Sequence, residues 1–454
     1  MNKVVKRAAA MLILVAILAG GMIFFVVDYI LNSKDWVLSS GSPHVYTDYS
    51  SVCGVITDRT GTVLMDTSDG RVYTLDALLR SSVIHWLGDR RGNISEPIIH
   101  YYAAKMTQYD VVNGLYVYGN DGGRVTLTLS AEAQKAALEA MGDYKGTIAV
   151  YNYKTGEILC AVTTPTFDPD NVPDIAGDPV TYEGAYLNRF LQSAYTPGSI
   201  FKIVTLAAAL ETMEDLDNWS YTCSGSKAYG IDKVTCLRVH GTQNLEQAFC
   251  NSCNCAFASL ADELGAEVIQ QYADAMGITG SVGFDGVKTA SGSLSVLGEA
   301  DVMVAWSAIG QHKDLINPCQ FLTMVGAIAS GGSGATPHIV AGIDGGGWGT
   351  YTAQTAYTGQ IISTETAEKL CKMLRYNVEN YYGDENFHGL KVCAKSGTAE
   401  VGNKNNSMFV GFAQDEEYPL AFIAVVEDGS YGRTTCIPIL SKVLAVCKDV
   451  MDGE

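Results

Sequence analysis

Ser199 and Lys202 stand in the run Pro197-Gly198-Ser199-Ile200-Phe201-Lys202. A spacing of three on a helix puts both side chains on one face. Pro197 and Gly198 suit a helix entry, so Ser199 falls at an N-terminus where free backbone N–H groups can meet a developing oxyanion. Serine becomes a nucleophile when a base takes its proton. Lysine serves as that base if burial and a neighbouring cation hold it partly neutral.

Ser-x-x-Lys alone is a common pattern. Ser224-Gly225-Ser226-Lys227 repeats it in Gly-rich turn sequence with no helix to present it. Ser199 is distinguished by two downstream patterns. Ser252-Cys253-Asn254 comes about fifty residues later and Lys395-Ser396-Gly397-Thr398 about two hundred later, just before two predicted strands. An earlier Lys154-Thr155-Gly156 matches the last pattern literally but reads as a hairpin turn ahead of the serine, so it is set aside. The useful copy needs a small-residue strand edge on which an extended peptide docks, with Gly397 letting the substrate backbone approach.

The elements that must position these groups are legible in outline. Thr147 to Tyr151 and Glu157 to Val162 alternate around the turn Tyr153–Gly156 and predict a hairpin. Ser130 predicts an N-cap for a helix over 131–141. A helix is expected from about Ser199 to Met213, strands over 407–413 and 420–427 joined by a polar turn, and a terminal helix over 440–451. Strands at both ends with helices between predict an α+β fold, one antiparallel sheet faced by helices. Short runs such as Cys53–Ile56 and Arg124–Leu129, with turn pairs Asn120-Asp121 and Gly122-Gly123, predict a small β-rich module ahead of it. Gly345-Gly346-Gly347 reads as a flexible turn.

The composition bounds the setting. The chain has 454 residues, 47% hydrophobic and 17% charged, with a formal net charge of −19. Such an acidic chain repels phosphate, which argues against nucleic acid as a partner. Lys3, Lys6 and Arg7 precede an uncharged stretch from Ala8 to Val27. About twenty residues span the roughly 30 Å hydrocarbon core. The basic flank predicts a cytoplasmic N-terminus and a catalytic part outside. The run continues through Phe24, Phe25 and Val26 with no clean cleavage site, which favours a retained anchor over a signal peptide. The expected divisions are 1–7 cytoplasmic, 8–30 transmembrane, 31–142 membrane-proximal module and 143–454 catalytic domain.

Among twelve cysteines, Cys250, Cys253 and Cys255 cluster but lack a second ligand pair at zinc-site spacing, so no metal and no cofactor are expected. Cys223 and Cys236 bracket a predicted turn, and the sequence leaves a disulfide between them open. Cys253, between two candidate catalytic residues, reads as a packed thiol.

Ser-x-x-Lys, Ser-x-Asn and Lys-Ser/Thr-Gly in this order resemble the motif set of serine penicillin-recognising enzymes. Nearly the whole chain resembles the class B penicillin-binding proteins, monofunctional transpeptidases, and most of all their compact PbpA-like branch. The resemblance rests also on Gly54–Gly61, on Lys154–Leu159 with Pro165–Asp170, on Tyr221–Gly225 with His240-Gly241, and on Phe409–Phe412. It implies the penicillin-binding transpeptidase fold and a peptidoglycan D,D-transpeptidase. Ser199 would attack a D-Ala-D-Ala stem peptide with Lys202 as base. Ser252 would relay a proton to the leaving D-Ala, and Asn254 would hold the substrate amide. Lys395 would supply positive potential, while Ser396 and Thr398 bind the terminal carboxylate. The N–H groups of Ser199 and Thr398 would form the oxyanion hole, and β-lactams would trap Ser199. Ser396 and Met408 depart from the residues the family more often carries there.

Rival functions are a D,D-carboxypeptidase, a β-lactamase-type hydrolase, or a silent β-lactam sensor or scaffold. A lactamase needs a water-positioning loop, which the sequence does not display. Intact motifs argue against silence. The resemblance further implies a glycan polymerase of the shape, elongation, division and sporulation (SEDS) family as membrane partner, docked on the membrane-proximal module.

Overall fold

The computed structural model describes residues 2–37, 54–67, 70–94, 102, 109–110, 115–116, 123–285, 287–344 and 350–453. The expectations for Cys53, the Asn120–Gly122 turn, most of the polar segment after the anchor and Gly345–Gly347 lie outside them.

Helix α1, Asn2–Val37, contains a stretch, Lys3–Asn32, long and apolar enough to cross a membrane. Leu12, Phe24 and their neighbours are exposed, with no protein packed on them. Beyond it, β1 (Val55–Thr57), β2 (Val63–Asp66) and β3 (Val72–Tyr73) form the start of a small sheet beside helix α2 (Ala77–Leu87), and β4 (Arg124–Leu127) pairs with β1 in parallel. Two strands from much later in the chain, Val340–Asp344 and Tyr351–Thr352, complete this sheet on the β4 side. The module anticipated before residue 143 is therefore continuous with the catalytic part through shared hydrogen bonds.

The segment Gly54–Gly61 acts as a buckle between the two. Asp58 is buried. One carboxylate oxygen accepts from the N–H groups of Thr60 and Thr62 at 2.9 and 2.8 Å, and the other from Ala131 at 3.0 Å, at the start of α3 (Ala131–Met141). Ser130 caps α3 as expected, accepting from Ala133 N. A second tie joins Arg80 of α2 to Asp168, two near-parallel N–H···O bonds at 2.5 and 2.6 Å.

The main sheet has five antiparallel strands. β5 (Lys145–Asn152) and β6 (Ile158–Thr164) make the predicted hairpin; β7 (Val392–Val401), β8 (Lys404–Ala413) and β9 (Leu420–Glu427) follow, in spatial order β7-β8-β9-β5-β6. Alternate side chains face opposite ways. Ala149, Tyr151, Val410, Ile423 and Val425 enter one core, against helices that include Pro318–Ala329. Ile148, Val150, Phe409, Phe422 and Ala424 enter another, with α3 and the terminal helix. Phe409 and Phe422 stack with centroids 6.2 Å apart. This is a helix–sheet–helix layering, as the α+β expectation required.

Two boundaries differ from the sequence reading. The terminal helix starts at Gly432, not near 440, and runs to Asp452 with Pro438 inside it. The helix that carries Ser199 begins as a 3₁₀ turn, Gly198–Phe201, and becomes α-helical at α4, Lys202–Thr212.

Candidate active site

The Ser199 turn is wedged against the edge strand β7. Gly198 holds φ +56°, and a Cβ there would lie 2.4 Å from the carbonyl oxygen of Thr398, so only glycine fits. Gly397 meets the same constraint from the other side: its Cβ would stand 2.8 Å from Pro197 O and 3.0 Å from Ile200 Cγ2. The sequence reading assigns Gly397 to substrate approach. Its space is in fact taken by the Ser199 turn, so its first duty is to let Ser199 sit on the sheet edge.

Lys202 Nζ lies at the centre of the site. It donates to Ser199 Oγ at 3.1 Å, Ser252 O at 2.8 Å, Ser252 Oγ at 3.1 Å and Asn254 Oδ1 at 2.7 Å. An ammonium has three protons, so these acceptors share them. Ser252 lies between the helix Leu245–Cys250 and helix α5, Asn254–Ala275. It adopts φ +53°, a left-handed conformation costly for a residue with a Cβ. That conformation aims both its carbonyl and its hydroxyl at Lys202. Asn254 is fixed through its other end, Nδ2 donating to Thr235 O at 2.8 Å.

Lys395, on β7, donates to Ser252 Oγ at 3.1 Å and to Ser396 O at 3.1 Å. Both lysine side chains are fully buried, and neither has a carboxylate partner among the described residues. Phe257 and Phe249 turn their rings to the two ammonium groups, at 5.5 and 5.7 Å. Burial brings Lys202 down to about 8. Burial, then the charge of Lys202, holds Lys395 well below the ordinary lysine value. This is the condition the sequence argument set for lysine as a base. Ser199, Ser252, Ser396 and Thr398 remain partly exposed beside the buried amines.

Two residues absent from the sequence reading orient the far side. Tyr382 OH accepts from Ser396 N at 2.8 Å and lies 2.9 Å from Ser396 Oγ. No other acceptor for its proton occurs among the described residues, so the phenol donates to Ser396 Oγ. Burial pushes the Tyr382 phenol up, which keeps that proton in place. Thr398 Oγ1 accepts from Gly432 N at 3.1 Å. Both hydroxyls thus have an acceptor position filled and their own protons free to point outward, a pair of donors suited to an anion. Gln311 spans the outer edge of β7: Nε2 donates to Thr398 O at 3.1 Å, and Oε1 accepts from Glu400 N at 3.3 Å. Nothing near Tyr382 or Gln311 in the sequence advertises these contacts, which arise from tertiary packing.

The structure thus brings together Ser199, Lys202, Ser252, Asn254, Lys395, Ser396, Gly397 and Thr398. The rejected copies lie elsewhere. Lys227 is in a hairpin strand and pairs with Asp262 at 2.9 Å. Lys154-Thr155-Gly156 is a turn held by Asn152 Oδ1. One sequence reading needs correction. Cys253 does have further ligand-type neighbours: the ligand atoms of Cys223, Cys236, His240 and Cys253 lie within 4.8 Å of one another. They are scattered over about thirty residues, and folding gathers them. The sulfurs of Cys223 and Cys236 are unbonded, 3.8 Å apart.

Residues 146–445 match the family described as "Penicillin binding protein transpeptidase domain". The chain belongs to this family, as a class B member of the PbpA-like kind. It is 26% identical over 336 residues to "Peptidoglycan D,D-transpeptidase PbpA" of Mycolicibacterium smegmatis, covering 68% of each chain. It is 30% identical over 354 residues to "Stage V sporulation protein D" of Bacillus subtilis, covering 72% of this chain and 54% of that one, so it spans about half that relative's length. Among solved structures, the D,D-transpeptidase domain of a peptidoglycan glycosyltransferase from Eggerthella lenta superimposes with a TM-score of 0.74 at 27% identity, covering 87% of this chain and 99% of that one.

Proposed function

We propose that the chain is a membrane-anchored peptidoglycan D,D-transpeptidase that crosslinks stem peptides through an acyl-enzyme on Ser199 and is inhibited by β-lactams. The observation that carries this reading is the convergence of one buried amine, Lys202 Nζ, on Ser199, Ser252 and Asn254.

Each step has a group in place for it. Neutral Lys202 takes the Ser199 proton as Oγ attacks the penultimate D-Ala carbonyl. The oxyanion meets the N–H groups of Ser199 and Thr398. Ser252 Oγ, within 3.1 Å of both amines, passes a proton to the leaving D-Ala nitrogen. Asn254 holds the substrate amide. The terminal carboxylate takes the outward protons of Ser396 and Thr398, and its negative charge favours the protonated form of Lys395 once substrate is bound. An extended stem peptide adds to the edge of β7, displacing Gln311 from Thr398 O. An amine of a neighbouring stem peptide then attacks the acyl-enzyme, with Lys202 again accepting a proton. A β-lactam enters the same way but keeps its leaving group tethered.

Helix α1 anchors the chain in the membrane. The basic residues in its first two turns, Lys3, Lys6 and Arg7, support a cytoplasmic N-terminus and an extracytoplasmic site. The divisions 1–7, 8–30, 31–142 and 143–454 remain the proposed organisation, with the shared sheet locking the last two together. The module is proposed as the docking surface for a SEDS-type glycan polymerase. Its edge strand β3 leaves Val72 54% and the nearby Leu75 95% exposed, an apolar patch close to the membrane anchor in sequence. Val72→Asp with Leu75→Asp should abolish co-purification with such a polymerase and leave penicillin labelling intact; unchanged co-purification would remove this surface.

The enzymatic reading is tested by mass spectrometry of products from a pentapeptide-bearing lipid-linked glycan with an added D-amino acid. Exchange of terminal D-Ala for the acceptor is expected. Release of D-Ala by water alone would make the enzyme a carboxypeptidase.

A further inference from the structure

The outer edge of β7 has no neighbouring strand, yet its backbone groups are not bare. Residues two apart on a strand turn their N–H and C=O groups to the same edge. Here side chains take the place of the missing strand. Asn377 Nδ2 donates to Ala394 O at 3.0 Å, Tyr382 OH accepts from Ser396 N at 2.8 Å, and Gln311 spans Thr398 O and Glu400 N at 3.1 and 3.3 Å. Asn377 and Tyr382 are buried. Gln311 is only half-buried, and its bond to Glu400 N is the longest of this set.

The place of Gln311 decides what it can do. Its amide is a small copy of a peptide bond, presenting an N–H and a C=O to the edge where an extended stem peptide would add. The backbone under it is fixed. Gln311 N donates to Trp306 O at 2.9 Å, Gly198 N donates to Gly310 O at 2.8 Å, and a Cβ on Gly310 would lie 2.2 Å from Gly198 O. The loop after the helix Asp301–Ala308 is thus tied to the Ser199 turn itself. A peptide arriving at Thr398 O meets the Gln311 amide already there, and only the side-chain torsions of Gln311 can clear the edge.

We propose that Gln311 is a specificity-determining residue, a built-in occupant of the donor site that gives way to a substrate bringing its own N–H to Thr398 O. This rests on the transpeptidase reading above and adds a selection step to it. A donor with an amide beside the reacting carbonyl exchanges one N–H···O bond for another and releases the glutamine to water. A compact acyl donor without that amide leaves Gln311 seated and gains nothing from its removal. The step is an exchange of hydrogen bonds, and no covalent bond forms or breaks. Its cost falls on binding. With one net hydrogen bond holding the edge closed, the open form is the minor one by about fivefold, and the apparent affinity for an amide-bearing donor falls by the same factor.

The test follows acylation of the full chain in detergent by benzylpenicillin, which carries an amide N–H beside the lactam, and by a penam sulfone that lacks the acylamino side chain. Gln311→Met keeps the length of the side chain and removes both hydrogen bonds; Gln311→Ala removes the side chain. Both variants should be acylated by benzylpenicillin with a second-order rate constant about fivefold higher than the parent's, the gain lying in the apparent Kd and not in the saturating rate. Neither should differ from the parent with the sulfone. Independently of any variant, a crystal structure of the parent benzylpenicilloyl-enzyme should show the acylamino N–H on Thr398 O and the Gln311 amide away from it. A saturating rate that falls in both variants would make Gln311 a brace for its loop and overturn the proposal. Equal gains with both lactams, no gain with benzylpenicillin, or Gln311 still on Thr398 O in the acyl-enzyme would also overturn it. A parent that benzylpenicillin does not acylate would remove the transpeptidase reading as well, whereas acylation of Ser199 without these shifts would remove this proposal alone.

Discussion

Lys202 reaches Ser252 twice, through the carbonyl at 2.8 Å and the hydroxyl at 3.1 Å. This double contact goes with the left-handed backbone at Ser252, and it holds the proposed relay serine and the proposed base as one unit. Ser252→Ala and Ser252→Gly both remove the hydroxyl and should slow acylation by about 10²-fold or more, the scale of a lost proton-transfer group. They should differ in stability. Glycine accepts φ +53° freely, so the alanine variant should be less stable by about 1–2 kcal/mol. Equal denaturation midpoints would show that the backbone relaxes once the hydroxyl is gone.

The lowered Lys202 value gives the pH dependence a sign. In the proposed role of base Lys202 works neutral, and burial brings its value down to about 8. The rate of acylation at sub-saturating penicillin should therefore rise with pH through a midpoint near 8. Lys202→Ala should abolish the rise and slow acylation by roughly 10²- to 10⁴-fold. A flat profile in the parent enzyme would argue against Lys202 as the base.

Tyr382 should act on binding more than on turnover. Tyr382→Phe leaves Ser396 N without its partner and frees the Ser396 hydroxyl to turn. The loss of about 1 kcal/mol expected for such a bond corresponds to roughly a fivefold rise in KM for a D-Ala-D-Ala donor, with kcat little changed. A fall in kcat at constant KM would place Tyr382 in the chemical step.

Gly198→Ala tests the packing that sets the nucleophile. The added methyl meets a backbone carbonyl at 2.4 Å in a left-handed conformation, and neither neighbour is a flexible side chain. Destabilisation of about 2–4 kcal/mol is expected, read by thermal denaturation, together with loss of penicillin acylation. A variant as stable and active as the parent would mean that the Ser199 turn can lift from β7.

The fold and the site are legible in the sequence where local signals and long-range order agree. The β5–β6 hairpin and the α3 cap have short-range grammar of their own. Ser199, Ser252 and Lys395 are found by their order along the chain, which no local pattern could supply. The terminal helix reads too short because Pro438 looks like a boundary, whereas packing of Ile437, Leu440 and Leu444 into the core carries the helix past it. Gly397 reads as a substrate contact because a sequence does not say what fills the space beside a glycine. Tyr382, Gln311 and the His240 cluster escape notice for the same reason: each contact depends on segments far apart in the chain.

The mechanism stands on Ser199 as the acylated residue and Lys202 as its base. Intact-mass analysis after incubation with a fluorescent penicillin is the decisive measurement. The parent chain should gain one penicilloyl adduct, mapped to the peptide carrying Ser199, and Ser199→Ala should gain none while retaining the parent's thermal stability. An adduct on folded Ser199→Ala, or one mapped to another serine of the parent, would contradict this assignment.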